Sequence, residues 1–175
     1  MEFVDLIQMR RSVRSYRAPA IHDDLVIMLT AAQQAPSWKN LQASRCYVVE
    51  SPEALEALRS QALPAFNQNS SAGAALVVTT YVRDVVGFTA GKPDNEVGNG
   101  WGAYDLGLRD AYLVLAAADL GYDTLIMGIR DADVIRRQLN IPENEEIMSV
   151  IAVGKGSKAP APRARKPLGE VTRFI

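Results

Sequence analysis

The amino-acid sequence predicts an α+β fold built as one domain over residues 1–175. Some segments carry apolar residues at the three- and four-residue spacing of a helix, and others are continuous β-forming runs typical of buried strands. The length of 175 residues favours one domain, and the apolar content of 48% is ordinary for a chain that buries a core.

The predicted elements follow one another along the chain without internal repeats. Helices are predicted over residues 1–9, from Asp23 or Asp24 to Pro36, and over 53–62, 104–120 and 131–139. Strands are predicted over residues 45–50, 74–82, 123–128 and 146–154. The helix over 104–120 is apolar around much of its circumference, which predicts burial in the core or in a dimer interface.

Three connecting segments are also defined by their composition. Residues 65–71 are predicted to be a polar connector. Residues 83–100 are rich in glycine, and a loop of this length is either a lid on the substrate side or a disordered insertion. Residues 36–42 are either an ordinary connector or a contact for a planar polar ligand, because Trp38 and Asn40 lie together among other hydrogen-bonding groups.

Basic residues are concentrated at the two ends of the chain. Residues 10–17 contain four arginines and no acid, residues 18–154 contain nine basic and 17 acidic residues, and residues 155–175 contain six basic residues and one acid. A net charge of −1 therefore conceals an acidic body with two basic ends. Arginine and serine suit phosphate oxygens, so the ends form one anion site if they meet; otherwise they are solvated basic segments.

The C-terminal tail is predicted to be an extended arm that begins at Lys155. Its three prolines exclude a helix through Arg163 and Arg165. The apolar residues at its end favour an arm that docks on a surface over a free tail, and residues 171–175 resemble a β-strand.

Several classes of function are disfavoured by the composition. The single cysteine, Cys46, excludes an internal disulfide, indicates a reducing compartment and is expected to be a buried, inert thiol. The single histidine, His22, is expected at the surface, and a zinc site is not expected. No signal peptide or membrane-spanning run is visible, so we expect a cytoplasmic protein without a membrane partner. The short basic patches do not match a nucleic-acid-binding protein.

Taken in order, these segments resemble the FMN-dependent nitroreductase family over the whole chain. The matching pieces are Arg-Arg-Ser-x-Arg-Ser-Tyr at 10–16, Ala-Pro-Ser at 35–37 with Asn40 and Gln42, the helix closing at Gly121, the strand to Gly128, and Arg-x-Arg-Lys-Pro-Leu at 163–168. The resemblance implies a sandwich with a mixed central sheet flanked by helices. It also implies a homodimer with domain-swapped C-terminal arms, residues 155–175, and two FMN molecules at its interface.

The resemblance further implies which residues contact FMN. Those assigned to the phosphate and the pyrimidine side of the ring are Arg10, Arg11, Ser12 and Arg14, with Arg163 and Arg165 closing on the phosphate. Those assigned to the flavin of the partner subunit are Pro36, Ser37, Trp38 and Asn40. Those assigned to the flavin edge and ring are Asn67 or Gln68, and Met127 with Gly128, where a backbone N–H is the donor.

The chain departs from the family pattern at three places. Ala43-Ser44 stands where the family often has Pro-Trp, Trp38-Lys39 replaces smaller residues, and Met127 stands where many members have an acid. These differences concern the substrate and the nicotinamide more than FMN.

The resemblance implies an FMN-dependent NAD(P)H oxidoreductase that reduces nitroaromatics, quinones or similar flat acceptors. Our hypothesis is a ping-pong cycle in which NAD(P)H reduces FMN and leaves before the acceptor enters, and arginines favour the reduced, anionic flavin. No catalytic side chain and no metal ligand is assigned. The alternatives are a non-catalytic flavin-binding or small-anion sensor, and a same-fold flavin enzyme that performs reductive dehalogenation or flavin breakdown.

Overall fold

The computed structural model describes residues 2–158 and 160–175, and its central strand is β7 (Glu145–Gly156). β3 (Ala75–Val82) pairs antiparallel with one edge of β7, and β6 (Asp123–Met127) pairs antiparallel with the other edge. β1 (Tyr16–Pro19) pairs with the last residues of β7, and β2 (Ser44–Val49) pairs with β3. The result is a five-stranded sheet in which β7 contacts three other strands.

The expected mixed sheet is only partly present in the described residues. Every ladder between these strands is antiparallel. Parallel pairing is confined to one isolated bridge, between Ser12 and Thr124. The α+β class itself is confirmed, while the exchange of C-terminal arms remains a prediction because it concerns a second copy of the chain.

Helices cover both faces of this sheet. The helices of the described residues are α1 (Phe3–Met9), α2 (His22–Ala32), α3 (Pro52–Ala62), α4 (Ala65–Ser71), α5 (Gly100–Asp119), α6 (Ala132–Leu139) and α7 (Leu168–Val171). Of these, α2 and α5 cover one face and α3 and α6 cover the other. A 3-10 turn covers Trp38–Asn40, and the short strands β4 (Phe88–Thr89) and β5 (Lys92–Pro93) form a hairpin.

The strands bury apolar side chains on both faces, which fixes the layer order. Val77 and its neighbours on one face pack against α2 and α5, whereas Val78 packs on the other face against α3 and α6. Alternate residues of a strand point to opposite faces, so a strand covered on both sides becomes a continuous apolar run. This packing gives the expected sandwich.

The N-caps of α3 and α6 agree with the sequence, and the N-cap of α2 differs. Ser51 and Asp131 cap α3 and α6 through side-chain bonds from the amides of Ala54 and Val134. The prediction that Asp23 or Asp24 caps α2 is wrong, because the N-cap is Ile21. The two acids lie in the first helical turn, where a carboxylate is stabilised by the positive end of the helix dipole.

Two other predictions from composition are wrong. Residues 65–71 form α4 and not a connector, because burial of Asn67 and Ser71 overrides the weak helix propensity of this polar stretch. α5 begins at Gly100, four residues before the predicted start. Gly102 lies in this extra turn. Glycine fits there because a Cβ atom would collide with the ring of Tyr81.

The segment 83–100 is ordered, so the disordered-insertion alternative is wrong. It contains the β4–β5 hairpin, and Asp84 and Asn99 bond to each other at its two ends. Gly87 lies against the ring of Trp101, where a Cβ atom would meet the indole at 2.6 Å. A lid function for this segment remains a prediction.

The C-terminal arm leaves the sheet after Gly156 and does not end in the predicted strand. Residues 171–175 contain the end of α7 and no strand. Its apolar side chains do not pack on the body of the same chain, and Phe174 is 88% exposed. Met1 and Ala159, which fall within the predicted first helix and the predicted arm, lie outside the described residues.

Close packing of β1 against β7 at Gly154 generates a stability prediction. A Cβ atom at Gly154 would lie 2.6 Å from the main-chain oxygen of Ala18, so Gly154→Ala forces β1 away from β7. We expect unfolding in urea to show a loss of about 1–3 kcal/mol, as in other overpacked sites. Gly169→Ala is the control, because its Cβ enters open space within α7. Equal stability of the two variants would contradict the described packing.

Candidate functional site

The two basic ends of the chain meet beside the end of β7. Tyr16 pairs with Gly156, and the amide of Ser157 donates to the carbonyl of Ser15 at 2.9 Å. The hydroxyls of Ser15 and Ser157 also bond to each other at 3.0 Å. These contacts bring the first arginine stretch beside the start of the C-terminal arm, which is one of the two arrangements that the charge pattern left open.

A cavity of about 990 Å³ lies between these two segments. Five arginines line it, and among the described lining residues there is no acid; the polar lining residues are Gln8, Arg10, Arg11, Ser12, Arg14, Arg163 and Arg165. We call this cavity the arginine cavity. The structure therefore brings together all six residues that the sequence assigned to a phosphate.

The arginines of this cavity are positioned by main-chain oxygens and not by carboxylates. Arg11 donates from Nη1 to the carbonyls of Gln8 and Arg10, and Arg14 donates from Nη1 to the carbonyl of Ser12 at 3.2 Å. Within the described part of the chain, none of the five arginines lies within 4 Å of a carboxylate oxygen. Such a cluster of positive charge favours binding of an anion with several oxygens.

The arginine cavity continues along β6 as an open trough. A space of about 380 Å³ is bordered by Arg14, Asn67, Met127 and Gly128, and one of about 570 Å³ is bordered by Arg10, Ser12 and Gly128. A Cβ atom at Gly128 would meet nothing within 4 Å, which shows that the trough is open above this residue. Three further sequence-predicted residues, Asn67, Met127 and Gly128, thus border the spaces that adjoin the arginines.

The outer edge of β6 offers main-chain donors to this trough. The amide of Val13 donates to the carbonyl of Thr124 at 3.0 Å, so the main-chain groups of Thr124 face away from β7. Because these directions alternate along a strand, the groups of Ile126 face the same open edge, whereas those of Met127 face β7. The outer main-chain groups of Ile126 therefore border the trough, and a backbone N–H donor at Met127 or Gly128 remains a prediction.

The two amide candidates on α4 are placed differently. Asn67 is only 7% exposed and borders the trough, and its Nδ2 donates to the carbonyl of Ile129 at 2.9 Å. Gln68 does not border the trough; its Nε2 donates to the carbonyl of Leu63 at 2.8 Å. Of the alternatives Asn67 and Gln68, the geometry favours Asn67.

Sequence reasoning missed a buried carboxylate beside the trough. Asp110 is 8% exposed, and its Oδ2 accepts a hydrogen bond from the hydroxyl of Thr79 at 3.2 Å. Thr79 bonds in turn to Ser149 at 2.9 Å. Burial raises the pKa of Asp110 to about 6. The available signal was an acid four residues after Leu106, on the buried side of α5.

The residues of the loop 36–42 lie on the opposite face of α5 from the trough. Residues of α5 at positions 106, 110 and 114 border the trough, whereas Asp105 and Arg109 face the loop. The amide of Trp38 donates to Oδ2 of Asp105 at 2.9 Å, and the Trp38 ring packs on Trp101 at 4.8 Å between centroids. Pro36, Ser37, Trp38 and Asn40 therefore do not border the trough of their own chain, and a role at the partner's site remains a prediction.

The same loop holds a strained backbone. Lys39, Asn40 and Gln42 all have positive φ, at 49°, 56° and 49°. Side chains stabilise this conformation, since Ser37 Oγ accepts from the Gln42 amide and Asn40 Oδ1 accepts from Gln42 Nε2, both at 3.1 Å. Strain of this kind persists where the surroundings fix it and is concentrated at functional sites.

The single cysteine and histidine play no part in the trough. Burial raises the pKa of the Cys46 thiol to about 11, as expected for an inert thiol. His22 is exposed and pairs with Glu50 at 3.0 Å. Within the described residues, no cluster of three or more His, Cys, Asp or Glu side chains could hold a metal ion, and no helix has the length and hydropathy needed to cross a bilayer.

The structure is an α+β fold with an open cavity lined by arginines. A model of the Nitroreductase family matches residues 7–155, and the chain belongs to this family. Among curated proteins it is similar to MhqN of Bacillus subtilis strain 168, which carries a provisional name as an NAD(P)H nitroreductase. The two are 26% identical over an alignment that covers 99% of each chain.

Solved structures share the fold over the whole chain. A nitroreductase family protein from Streptococcus pneumoniae TIGR4 superimposes with a TM-score of 0.84 at 22% identity, covering 99% of this chain and 100% of that chain. A protein from Exiguobacterium sibiricum 255-15, provisionally titled a nitroreductase and solved in complex with FMN, gives a TM-score of 0.79 at 22% identity, with coverage of 100% and 98%. At these identities the likeness establishes the fold.

The buried position of Asp110 predicts a pH dependence of stability. Its pKa is raised from 3.8 to about 6, so between these values the folded chain keeps a proton that the unfolded chain has released. The free energy of unfolding therefore falls as pH rises from 4 to 6, by on the order of 3 kcal/mol from this group. In urea titrations, the free energy of unfolding of wild type minus that of Asp110→Asn should therefore decrease by this amount between pH 4 and pH 7. A difference independent of pH would contradict the assignment.

Proposed function

We propose that this protein is an FMN-dependent NAD(P)H oxidoreductase that reduces flat acceptors such as nitroaromatics or quinones in a ping-pong cycle. The observation that carries the proposal is the arginine cavity, where both ends of the chain converge. The cavity opens into a trough that is bordered by main-chain donors of β6 and by Asn67. The arginine cavity would take a phosphate, and the open, partly apolar trough beside it would take a planar ring joined to that phosphate.

The residues present fit FMN. Arg10, Arg11, Arg14, Arg163 and Arg165 would hold the phosphate, because guanidinium forks match phosphate oxygens and these arginines have no carboxylate partner in the described chain. The ring would lie along β6, where the outer main-chain groups of the strand and the Asn67 amide are available to its polar edge. FMN, when bound, supplies the redox chemistry, and the protein orients it and tunes its electrostatics.

Family relatives support the cofactor and the reductant. The Exiguobacterium protein was solved in complex with FMN, and MhqN is named as acting with NAD(P)H. This chain superimposes on the Exiguobacterium protein and aligns in sequence with MhqN over nearly its whole length. The arginines nearest the trough, Arg10 and Arg14, would favour negative charge on the reduced ring.

A homodimer is part of the proposal, because the chain exposes apolar surface where a second copy would cover it. Phe174 and Leu168 on the arm project away from their own chain, and Ile126 beside the trough is half exposed. A partner arm laid over such surface would bury it, as in the exchanged arms that the family resemblance implies. The strained loop 36–42 would then face the partner's trough. A cytoplasmic location is proposed with it.

The proposal predicts a yellow protein that catalyses NAD(P)H oxidation. Purified protein, or protein reconstituted with FMN, should oxidise NADH or NADPH in the presence of excess quinone or nitroaromatic, with the parallel lines in double-reciprocal plots that a ping-pong cycle produces. Folded protein that takes up no FMN would contradict the cofactor assignment. Flavin uptake without NAD(P)H oxidation under any acceptor would favour the sensor alternative.

A further inference from the structure

The C-terminal arm has few direct contacts with the body of its own chain. The amide and the hydroxyl of Ser157 bond to Ser15, and these are the last hydrogen bonds along the described chain that join the arm to the body. The hydrogen bonds of residues 160–175 lie within the arm itself, in and beside α7. Among the described residues, no ion pair joins this segment to the rest of the chain. Direct polar contacts therefore fix only the start of the arm.

Apolar packing does not hold the arm in place either. Residues 160–171 are exposed, and Leu168 and Val171 each keep 63% of their surface in contact with solvent. The three prolines of the arm lack an amide hydrogen, so they cannot donate to a neighbouring strand. What remains to position the arm is the arginine cavity, which residues 160–163 and Arg165 line from the arm side.

The side chains that line this cavity repel each other. Two arginines line it from the arm, three line it from the first basic stretch, and no acid is among the described lining residues. The arm carries further positive charge outside the cavity, at Lys158, Lys166 and Arg173, against one acid, Glu170. Salt at about 0.1 M screens charges only beyond about 10 Å, so charges that share one cavity still repel. Without a bound anion, electrostatics therefore favours separation of the arm from the body.

A phosphate group in the cavity reverses the sign of this interaction. A phosphate monoester carries about −1.5 to −2 charges at pH 7 and has three strong acceptor oxygens. Guanidinium forks bind such oxygens in pairs, and hydrogen bonds between charged groups are roughly twice as strong as neutral ones. A phosphate that contacts arginines of both segments therefore joins the arm to the body. A neutral ligand in the trough supplies no such link.

We propose that residues 160–175 form a strap that closes on the body only when a phosphate group is bound in the arginine cavity. The structure has the closed arrangement, in which Arg163 and Arg165 border the cavity opposite the first basic stretch. The proposal rests on the proposed function in taking FMN as the natural source of the phosphate. It extends that function, because the position of the arm then depends on the phosphate and not on the flavin ring.

Trypsin cleavage after Lys158 measures whether the strap is closed. Lys158 precedes the strap, is exposed and does not line the cavity, so trypsin does not compete with the phosphate for its side chain. In wild type, saturating FMN should slow this cleavage at least tenfold, as followed by mass spectrometry. Saturating riboflavin, which has the same ring and no phosphate, should slow it less than twofold. Equal slowing by the two flavins overturns the proposal.

Two single variants on the arm separate the cavity from the general charge of the arm. Arg163→Gln removes a guanidinium that lines the cavity, and at saturating FMN it should lose at least fivefold of the protection. Arg173→Gln removes the same charge from outside the cavity and should keep full protection. Both side chains are exposed, so neither substitution disturbs the core. Equal protection of the two variants overturns the proposal.

Reversal of the charge on the arm gives a prediction of the opposite sign. Arg163→Glu combined with Arg165→Glu places two carboxylates beside the arginines of the first basic stretch, so the strap should close with no phosphate bound. Cleavage after Lys158 should be at least tenfold slower than in cofactor-free wild type, and FMN should not slow it further. Cleavage as fast as in cofactor-free wild type, in a chain that circular dichroism shows to be folded, overturns the proposal.

Inorganic pyrophosphate tests the strap without a flavin. It should slow cleavage after Lys158 in wild type and not in Arg163→Gln, while a chromogenic peptide in the same tube shows unchanged trypsin activity. If flavin fluorescence shows no FMN uptake, the proposed function fails and the pyrophosphate result decides on the strap. If FMN binds and neither anion slows cleavage, the strap is overturned and the proposed function stands. A partner subunit that holds the arm at all times would give this second result.

Discussion

The candidate site depends on keeping like charges together at one place. Five arginines from the two ends of the chain border one cavity, and no acid is among the described residues that line it. Such repulsion is tolerated because the side chains are partly solvated and because an anion can neutralise them. The rest of the structure holds these two segments side by side in spite of that repulsion.

β7 provides this support. Its final residues pair with β1, and Gly156 donates to Oδ2 of Asp123 at 3.0 Å, which ties the end of β7 to the start of β6. On the other segment, Val13 is fully buried between the arginines, and the hydroxyl of Tyr16 donates to its carbonyl at 2.9 Å. A buried apolar residue thus anchors a stretch that is otherwise basic.

The sequence predicted what depends on local pattern or on charge along the chain. The apolar run at Val77 and Val78 and the caps at Ser51 and Asp131 follow from residue type and spacing, whereas the meeting of the two basic ends was implied by the family resemblance. α4 was missed because the burial of Asn67 is a tertiary effect. Asp110 was missed because nothing in its local sequence shows that Thr79 and Ser149 lie across from it.

α5 divides the chemistry of the chain into two regions. Its one face borders the trough near Asp110, and its other face presents Asp105 and Arg109 to the strained loop. A sequence pattern reveals that such a helix is buried. Which of its polar residues face the trough and which face the loop depends on the elements packed against each side. Residues such as Trp38 therefore could be assigned to a site only by resemblance, and their contacts with a second subunit remain a prediction.

The most direct test of the central claim is the preference for FMN over riboflavin, which differ only in the phosphate. Flavin fluorescence titrations should give a much tighter Kd for FMN in wild type. Charged hydrogen bonds contribute roughly 1.5–3 kcal/mol each, so Arg163→Ala and Arg165→Ala should each cut that preference about tenfold or more and leave riboflavin binding unchanged. Equal affinity for the two flavins in wild type, or an undiminished preference in both variants, would contradict the account.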